Sequence, residues 1–262
     1  MTTPRTFVLA GHRGNMAAAP ENTLLSFASA EAVGVDENEL DVQLTRDGAL
    51  VVLHDRTVER TAATSTPHLR TPIENLTLEQ IRSVNLGQDQ RIPTLDEVLD
   101  STTALLRIEI KALAAAQPLA DLLSRRSESD QARCIVTSFS SLSLADFVSA
   151  STGLPRGVGL HVPDTDSNWR DEVKRIGAST VLMPFRALTR ALVDDIHHDG
   201  IRVEASLIEG PADIRTILEL DVDASASNAP GYARDLLKAS SEFTNRFPSF
   251  GQGRPIHANA TC

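Results

Sequence analysis

Short aliphatic runs alternate with amphipathic segments along the whole chain. The runs at 6–11, 38–45, 50–54, 104–110, 133–138, 157–162, 179–184, 201–206 and 221–226 predict strands, because each is short, apolar and bounded by turn-forming residues. Between most of them the apolar positions recur at helical spacing, and the helix ends are legible. Asn22 or Thr23 can cap a helix running to about Val33, where Gly34 supplies a left-handed stop. Thr77 with Gln80 and Thr94 with Glu97 fit capping boxes, and Thr189 opens a helical pattern that Gly200 closes. A parallel strand pair needs a long crossover, so this alternation predicts a mainly parallel sheet. About eight such units in 262 residues fit an α/β chain folded as a closed (β/α)8 TIM-type barrel. No GxGxxG follows a strand, which weighs against a doubly wound open sheet. Two stretches break the rhythm: 56–93 is long, polar and proline-containing, and 241–262 has no period. The pattern therefore predicts a single domain over 1–240, with a partly helical insertion at about 56–93 after the second-strand hairpin and an irregular tail over 241–262.

Composition narrows the function. Hydrophobic residues make up 41% and charged residues 23%, which suits a packed globular core and excludes a disordered chain. With 25 basic against 35 acidic residues the formal net charge is −10, and no Lys/Arg block offers a grip on a phosphate backbone, so no nucleic acid partner is expected. The two cysteines, Cys134 and Cys262, make no disulfide framework and no metal knuckle; Cys134 lies in an apolar run and reads as a buried thiol. Phe7 to Ala10 is too short for a secretory core, and no run approaches the roughly 18 apolar residues of a membrane span. A soluble cytoplasmic protein without stable membrane insertion is expected.

The segment Glu39 to His54 carries the most chemistry. It alternates with period two, and Asp47-Gly48 marks a tight turn. A two-residue loop there pairs Arg46 with Ala49 and sets Asp41 opposite His54, so that Glu39, Asp41 and His54 share a face. Two adjacent carboxylates repel, and burying them uncompensated is costly. Either they form an exposed acidic strand start, with Asp36 and Glu37 nearby, or a hard divalent cation offsets the repulsion. Glu109 and Lys111 repeat the pattern on the next strand, alternating with Ile108 and Ile110. Charged groups near a barrel strand's C-terminal end line the active face, so Glu109 offers a third carboxylate for Mg²⁺ or Ca²⁺ and Lys111 a positive charge for an anion. Gly11-His12-Arg13-Gly14 ends the first strand, where the glycines permit close backbone approach and Arg13 can hold a phosphate bidentately. Two histidines, His12 and His54, facing a three-carboxylate site match what displacement at phosphorus requires: one group takes a proton and one gives it. His161 is a candidate for the rim, and His68, His197, His198 and His257 receive no role.

These residues resemble the glycerophosphodiester phosphodiesterase family. The likeness runs through His12-Arg13-Gly14, Pro20-Glu21-Asn22-Thr23, Glu39-Leu40-Asp41-Val42, Thr45-Arg46-Asp47-Gly48, His54-Asp55, Arg60-Thr61, Ile92 to Leu99, Glu109-Ile110-Lys111 and Ser138-Phe139. It is strong over about 12–139 and weaker to about 230. The resemblance implies a (β/α)8 barrel with one divalent cation held by Glu39, Asp41 and Glu109, with His12 and His54 as the acid–base pair and Arg13 and Lys111 on the phosphate. It implies a small-molecule phosphodiester substrate, cleaved to sn-glycerol 3-phosphate and an alcohol, either by direct water attack or through a cyclic phosphate made by the neighbouring glycerol hydroxyl.

The C-terminal half departs from the family pattern. Ser206-Leu207-Ile208-Glu209 stands where a Trp-Thr-Val-Asn strand end is usual, and Asp221 to Pro230 where Gly-Val-Asp-Gly-Ile-Ile-Thr-Asp-x-Pro is usual. An aromatic wall is thereby lost; Trp169, the only tryptophan, either replaces it at the substrate or is a partly buried helix start. Two other readings keep the barrel. Phospholipase D toxins of the sphingomyelinase type cleave lysophospholipids to a cyclic phosphate, but their third carboxylate is usually Asp and they are disulfide-bonded. A non-catalytic barrel that binds a phosphodiester is the alternative of a different class.

Overall fold

A computed structural model describes residues 6–251 except 152, 166 and 167. Eight of its strands run parallel and close on themselves: β1 (Val8–Gly11), β2 (Glu37–Leu44), β4 (Leu105–Ile110), β5 (Cys134–Ser138), β6 (Val158–His161), β7 (Thr180–Pro184), β8 (Arg202–Ser206) and β9 (Ala224–Ser227). Closure is made by β1, which pairs with β2 on one side and β9 on the other. β3 (Leu50–Val52) lies outside the ring, antiparallel to β2. The strands follow the expected runs to within a few residues, and the expected (β/α)8 barrel is what the chain forms.

Period-two alternation decides which side chains face where. Leu40, Val42, Ile108, Ile110, Val136, Val181 and Val203 point outward and are buried under helices that contribute Phe27, Leu119, Leu144, Phe147, Val173, Ile196 and Ile217. Each such side chain contributes about 1.5–3 kcal/mol on burial. The predicted caps are in place: Thr23 accepts from Ser26 N–H, Thr77 and Thr94 make full capping boxes, and Thr189 accepts from Leu192 N–H. The barrel interior carries charge. Arg107 is paired with Glu204 and lies 3.3 Å from Glu37, which Arg156 also holds at 2.5 Å. No helix among the described residues is long and apolar enough to cross a membrane.

Three expectations need correction or detail. The hairpin register is one residue away from the expected one: Val42 pairs with Val52 and Leu44 with Leu50. The loop holds three residues, Arg46, Asp47 and Gly48, because Thr45 bonds Ala49 and Gly48 takes φ +84; Gly after a short turn is the signature of this longer loop. Asp41 therefore stands against Leu53, whose N–H it accepts, and His54 lies beyond the paired strand. The insertion has a core of its own, built from Val58, Ile73, Leu76, Ile81, Val84, Leu86 and Ile92 on Val51 and Leu53. The tail is not wholly irregular. Ser241–Arg246 is a helix, Ser240 caps it, and Phe243 and Phe247 are buried against Phe7 with ring centroids 5.1 and 5.5 Å away. The spacing of its aromatics is too short a signal for a helical period. Residues 252–262, with His257, lie outside the described residues.

Candidate active site

The site is built at the C-terminal ends of β1, β2 and β4. Asp41 and Glu109 are partners in the β2–β4 ladder, as are Glu39 and Arg107. All four alternate with outward aliphatic residues and face the barrel interior. This register brings Glu39, Asp41 and Glu109, all buried, to within 4.8 Å of one another. Burial, and after it the charge of Asp41, pushes both Glu39 and Glu109 above the usual carboxylate range. Asp41 Oδ1 is buried with no hydrogen-bond donor among the described residues, and the Lys111 ammonium stands 3.7 Å from it. Lys111 also bonds Glu109 at 2.8 Å.

The turn after β1 folds over this cluster. Arg13 and Asn22 take φ +53 and +57, conformations disfavoured for side-chain-bearing residues but tolerated by Asn. Gly14, at φ +82, packs so tightly that a Cβ there would come 2.7 Å from the Ser26 backbone. In return the Arg13 N–H donates to Glu39 at 2.8 Å, Asn22 Nδ2 donates to Asp41 at 2.8 Å, and Arg13 Nε lies 3.4 Å from Asp41. Strain at a functional turn is a common device for fixing a geometry.

The two histidines have different partners. His12 Nδ1 lies 2.6 Å from Asn228 Oδ1; an amide oxygen only accepts, so Nδ1 carries the proton and Nε2 is left bare, 3.9 Å from Glu39. Burial first, and the charges of Arg13 and Arg107 with it, lowers the His12 pKa to about 4. His54 Nδ1 lies 2.6 Å from Asp55, whose carboxyl is held down to about 2, chiefly by Arg60. Arg60 reaches on to Glu21 with two bonds of 2.7 Å, and Glu21 accepts from Arg13 at 2.9 Å. An alternating chain of charges thus ties Arg13 in the β1 turn to His54 at the start of the insertion. His54 is near enough to Glu109 for its charge to lower that carboxyl.

His12, Arg13, Glu39, Asp41, His54, Glu109 and Lys111 are brought together as the sequence suggested, although His54 arrives through the turn after β3 and not through strand register. Trp169 is not with them. It is 6% exposed in the hydrophobic core, with the Arg170 guanidinium 4.6 Å over its ring. Phe139 is an exposed aromatic at the mouth, stacked on His161 at 4.3 Å, and His161 Nε2 lies 3.6 Å from Glu109. The sequence points to His161 at the rim, but not to Asn228, Asp55, Glu21 or Asn22 as members of the site. Glu21 and Asn22 sit in the Pro-Glu-Asn-Thr motif and Asp55 in His54-Asp55, whereas Asn228 stands at the Asp of the family's Thr-Asp-x-Pro, in the segment that departs from the pattern.

Comparison with known proteins bears on the chemistry. The model of the glycerophosphoryl diester phosphodiesterase family matches residues 12–232, most of the chain. The chain belongs to this family. Such a phosphodiesterase from Caldanaerobacter subterraneus is 29% identical over 239 residues, covering 86% of this chain and 95% of its own. One from Bacillus subtilis is 27% identical over 263 residues, covering 88% and 86%. In fold, the Oleispira antarctica phosphodiesterase solved with the product sn-glycerol-3-phosphate superposes with a TM-score of 0.79 at 22% identity, covering 88% of this chain and 96% of that one. By family, then, this phosphodiesterase is a phosphoric diester hydrolase.

Proposed function

We propose that the protein hydrolyses glycerophosphodiesters to sn-glycerol 3-phosphate and an alcohol, with His12 and His54 as the acid–base pair and one divalent cation, Mg²⁺ or Ca²⁺, held by Glu39, Asp41 and Glu109. The observation that carries this reading is the convergence of three buried carboxylates within 4.8 Å beside two histidines of opposite environment. The donor set fits a hard cation: all ligands are oxygen, two of the carboxyls are pushed up by burial and then by like charge, and a buried Asp41 oxygen has no hydrogen-bond donor among the described residues. When bound, the cation neutralises charge on the phosphoryl oxygens.

The chain's own groups do the rest. Arg13 and Lys111 grip the phosphate from opposite sides of the triad. The bare Nε2 of His12 takes the proton of the attacking hydroxyl, a task suited to a ring kept neutral by burial and an amide partner. His54, held through Nδ1 by the Asp55 carboxylate, presents Nε2 as the donor to the departing alkoxide; a carboxylate partner suits the charged ring, as an amide partner suits the neutral one. The attacking hydroxyl belongs to water or to the substrate's neighbouring glycerol carbon.

Incubation with glycerophosphocholine and Mg²⁺ or Ca²⁺, followed by phosphorus NMR, tests this. A phosphomonoester signal that vanishes with chelator is expected, and His12→Ala and His54→Ala should each slow its appearance by about 10²-fold or more with little change in Tm. Turnover that survives exhaustive chelation, or both alanine variants at full rate, would sink the assignment; a persistent cyclic phosphate would make the glycerol hydroxyl the nucleophile.

A further inference from the structure

Glu39, Asp41 and Gln43 succeed one another on the inward face of β2. The first two are carboxylates of the candidate cation site; Gln43 stands about 7 Å beyond Asp41 along the strand. Its side chain is buried, and burying an amide is costly unless its hydrogens are bonded. Both are. Gln43 Nε2 donates to the carbonyl of His54 at 3.1 Å and to that of Asp55 at 2.5 Å. Among the described residues no backbone N–H reaches either carbonyl. The chain has left the sheet there: Val52 ends β3, and Leu53 N–H makes a last bond to the Asp41 carbonyl. Where the ladder stops, the side chain of Gln43 takes over. The two carbonyls belong to the peptide planes on either side of Asp55, so one amide fixes both planes. Asp55 in turn holds the His54 ring, 2.6 Å from its Nδ1, and accepts from Arg60 at 2.6 Å through its other oxygen.

We propose that Gln43 is the positioning residue of the proton donor: it ties the His54-Asp55 turn to the strand that carries Asp41, and so sets where His54 Nε2 meets the departing oxygen. The proposal rests on the phosphodiesterase reading, with His54 as the acid, and deepens it. Three features select this role. Glu39, Asp41 and Gln43 share one strand, so the carboxylates and the acid keep a fixed separation. Gln43 is uncharged, so it holds the turn without altering the charge balance of the triad. A proton donor must also come within hydrogen-bond reach, and a misplacement of about 1 Å can cost about 10²-fold in rate. When the P–O bond to the leaving group breaks, its electron pair goes with the oxygen, and the Nε2 proton joins it there. A strongly basic alkoxide needs that proton; a nitrophenolate leaves without it.

The test compares glycerophosphocholine with the p-nitrophenyl ester of sn-glycerol 3-phosphate. Gln43→Met keeps the length of the side chain and removes both donors. Its kcat on glycerophosphocholine should fall about 10²-fold, while kcat on the p-nitrophenyl ester and KM for both diesters stay near the native values. His54→Ala should show the same split. The double variant Gln43→Met/His54→Ala should be no slower than His54→Ala alone, because both changes act through one proton. Equal losses on the two diesters would make Gln43 a support of the whole site and overturn the proposal. Native kcat on glycerophosphocholine would overturn it too, as would losses that multiply in the double variant. Gln43→Asn withdraws the donors by one methylene and should give the split in milder form; it decides the matter where Gln43→Met does not fold. Equal losses in His54→Ala overturn the acid assignment, and a native protein that cleaves neither diester overturns the phosphodiesterase reading. In either case the role of Gln43 falls with it.

Discussion

Glu39 and Glu109 bind protons more tightly in the folded chain than their ordinary value near 4.5 allows in the unfolded one. Between that value and the raised one the folded state holds more protons, so the stability they contribute is fully present below it and lost as pH rises through the folded pKa. A cation that needs both groups ionised reverses this loss and releases protons on binding. Added Mg²⁺ or Ca²⁺ should therefore raise Tm more at about pH 8 than at about pH 5, and the gain should disappear in Glu39→Gln/Glu109→Gln. Thermal scans at the two pH values check it; equal gains at both would show that the cation acts elsewhere. The buried Oδ1 of Asp41, which has no hydrogen-bond donor among the described residues, is the atom that the same cation would satisfy.

Among the elements, the insertion after β3 is the one whose stability and function are most separable. It carries Asp55 and Arg60, the groups that hold His54, on a small core distinct from that of the barrel. Ile81→Ala opens a cavity in that core and should cost about 2–5 kcal/mol locally. Hydrogen exchange should then quicken over 56–93 while the strands of the barrel stay protected, and turnover should fall with it; uniform loss of protection would mean that the insertion and barrel unfold as one unit. This element also marks the limit of sequence reading. Period-two alternation with charged inward positions made Glu39, Asp41, Glu109 and Lys111 legible, since one ladder fixes the first three and Lys111 follows at its end. Helix caps were legible because Thr77 and Thr94 bond within a few residues. His54 was found for a reason that fails, as one extra loop residue at Gly48 shifted the pairing and the side chain reached the site by a turn. Asn228 and Phe139 were not found as site residues, because what makes them functional is proximity to His12 and His161, a long-range property of closure.

At the scale of the whole molecule, closure distributes the work unequally around the ring. The groups of the candidate site come from β1, β2, β4 and the connections after them, together with Asn228 beyond β9, which lies beside β1 because the barrel closes there. Phe7, Phe243 and Phe247 bring the early and late parts of the described chain into one aromatic cluster. The crossover between β6 and β7 holds Trp169, sunk in the core and covered by Arg170. Since this is the only indole in the chain, excitation of its fluorescence singles out one buried side chain in the wall of the barrel. Its emission should stay fixed while cation or glycerophosphodiester is titrated, and move to longer wavelength in a single step as denaturant admits water. The protein thus carries an optical gauge of its fold that is blind to its ligands, so unfolding curves taken with and without cation can be read directly as binding energy.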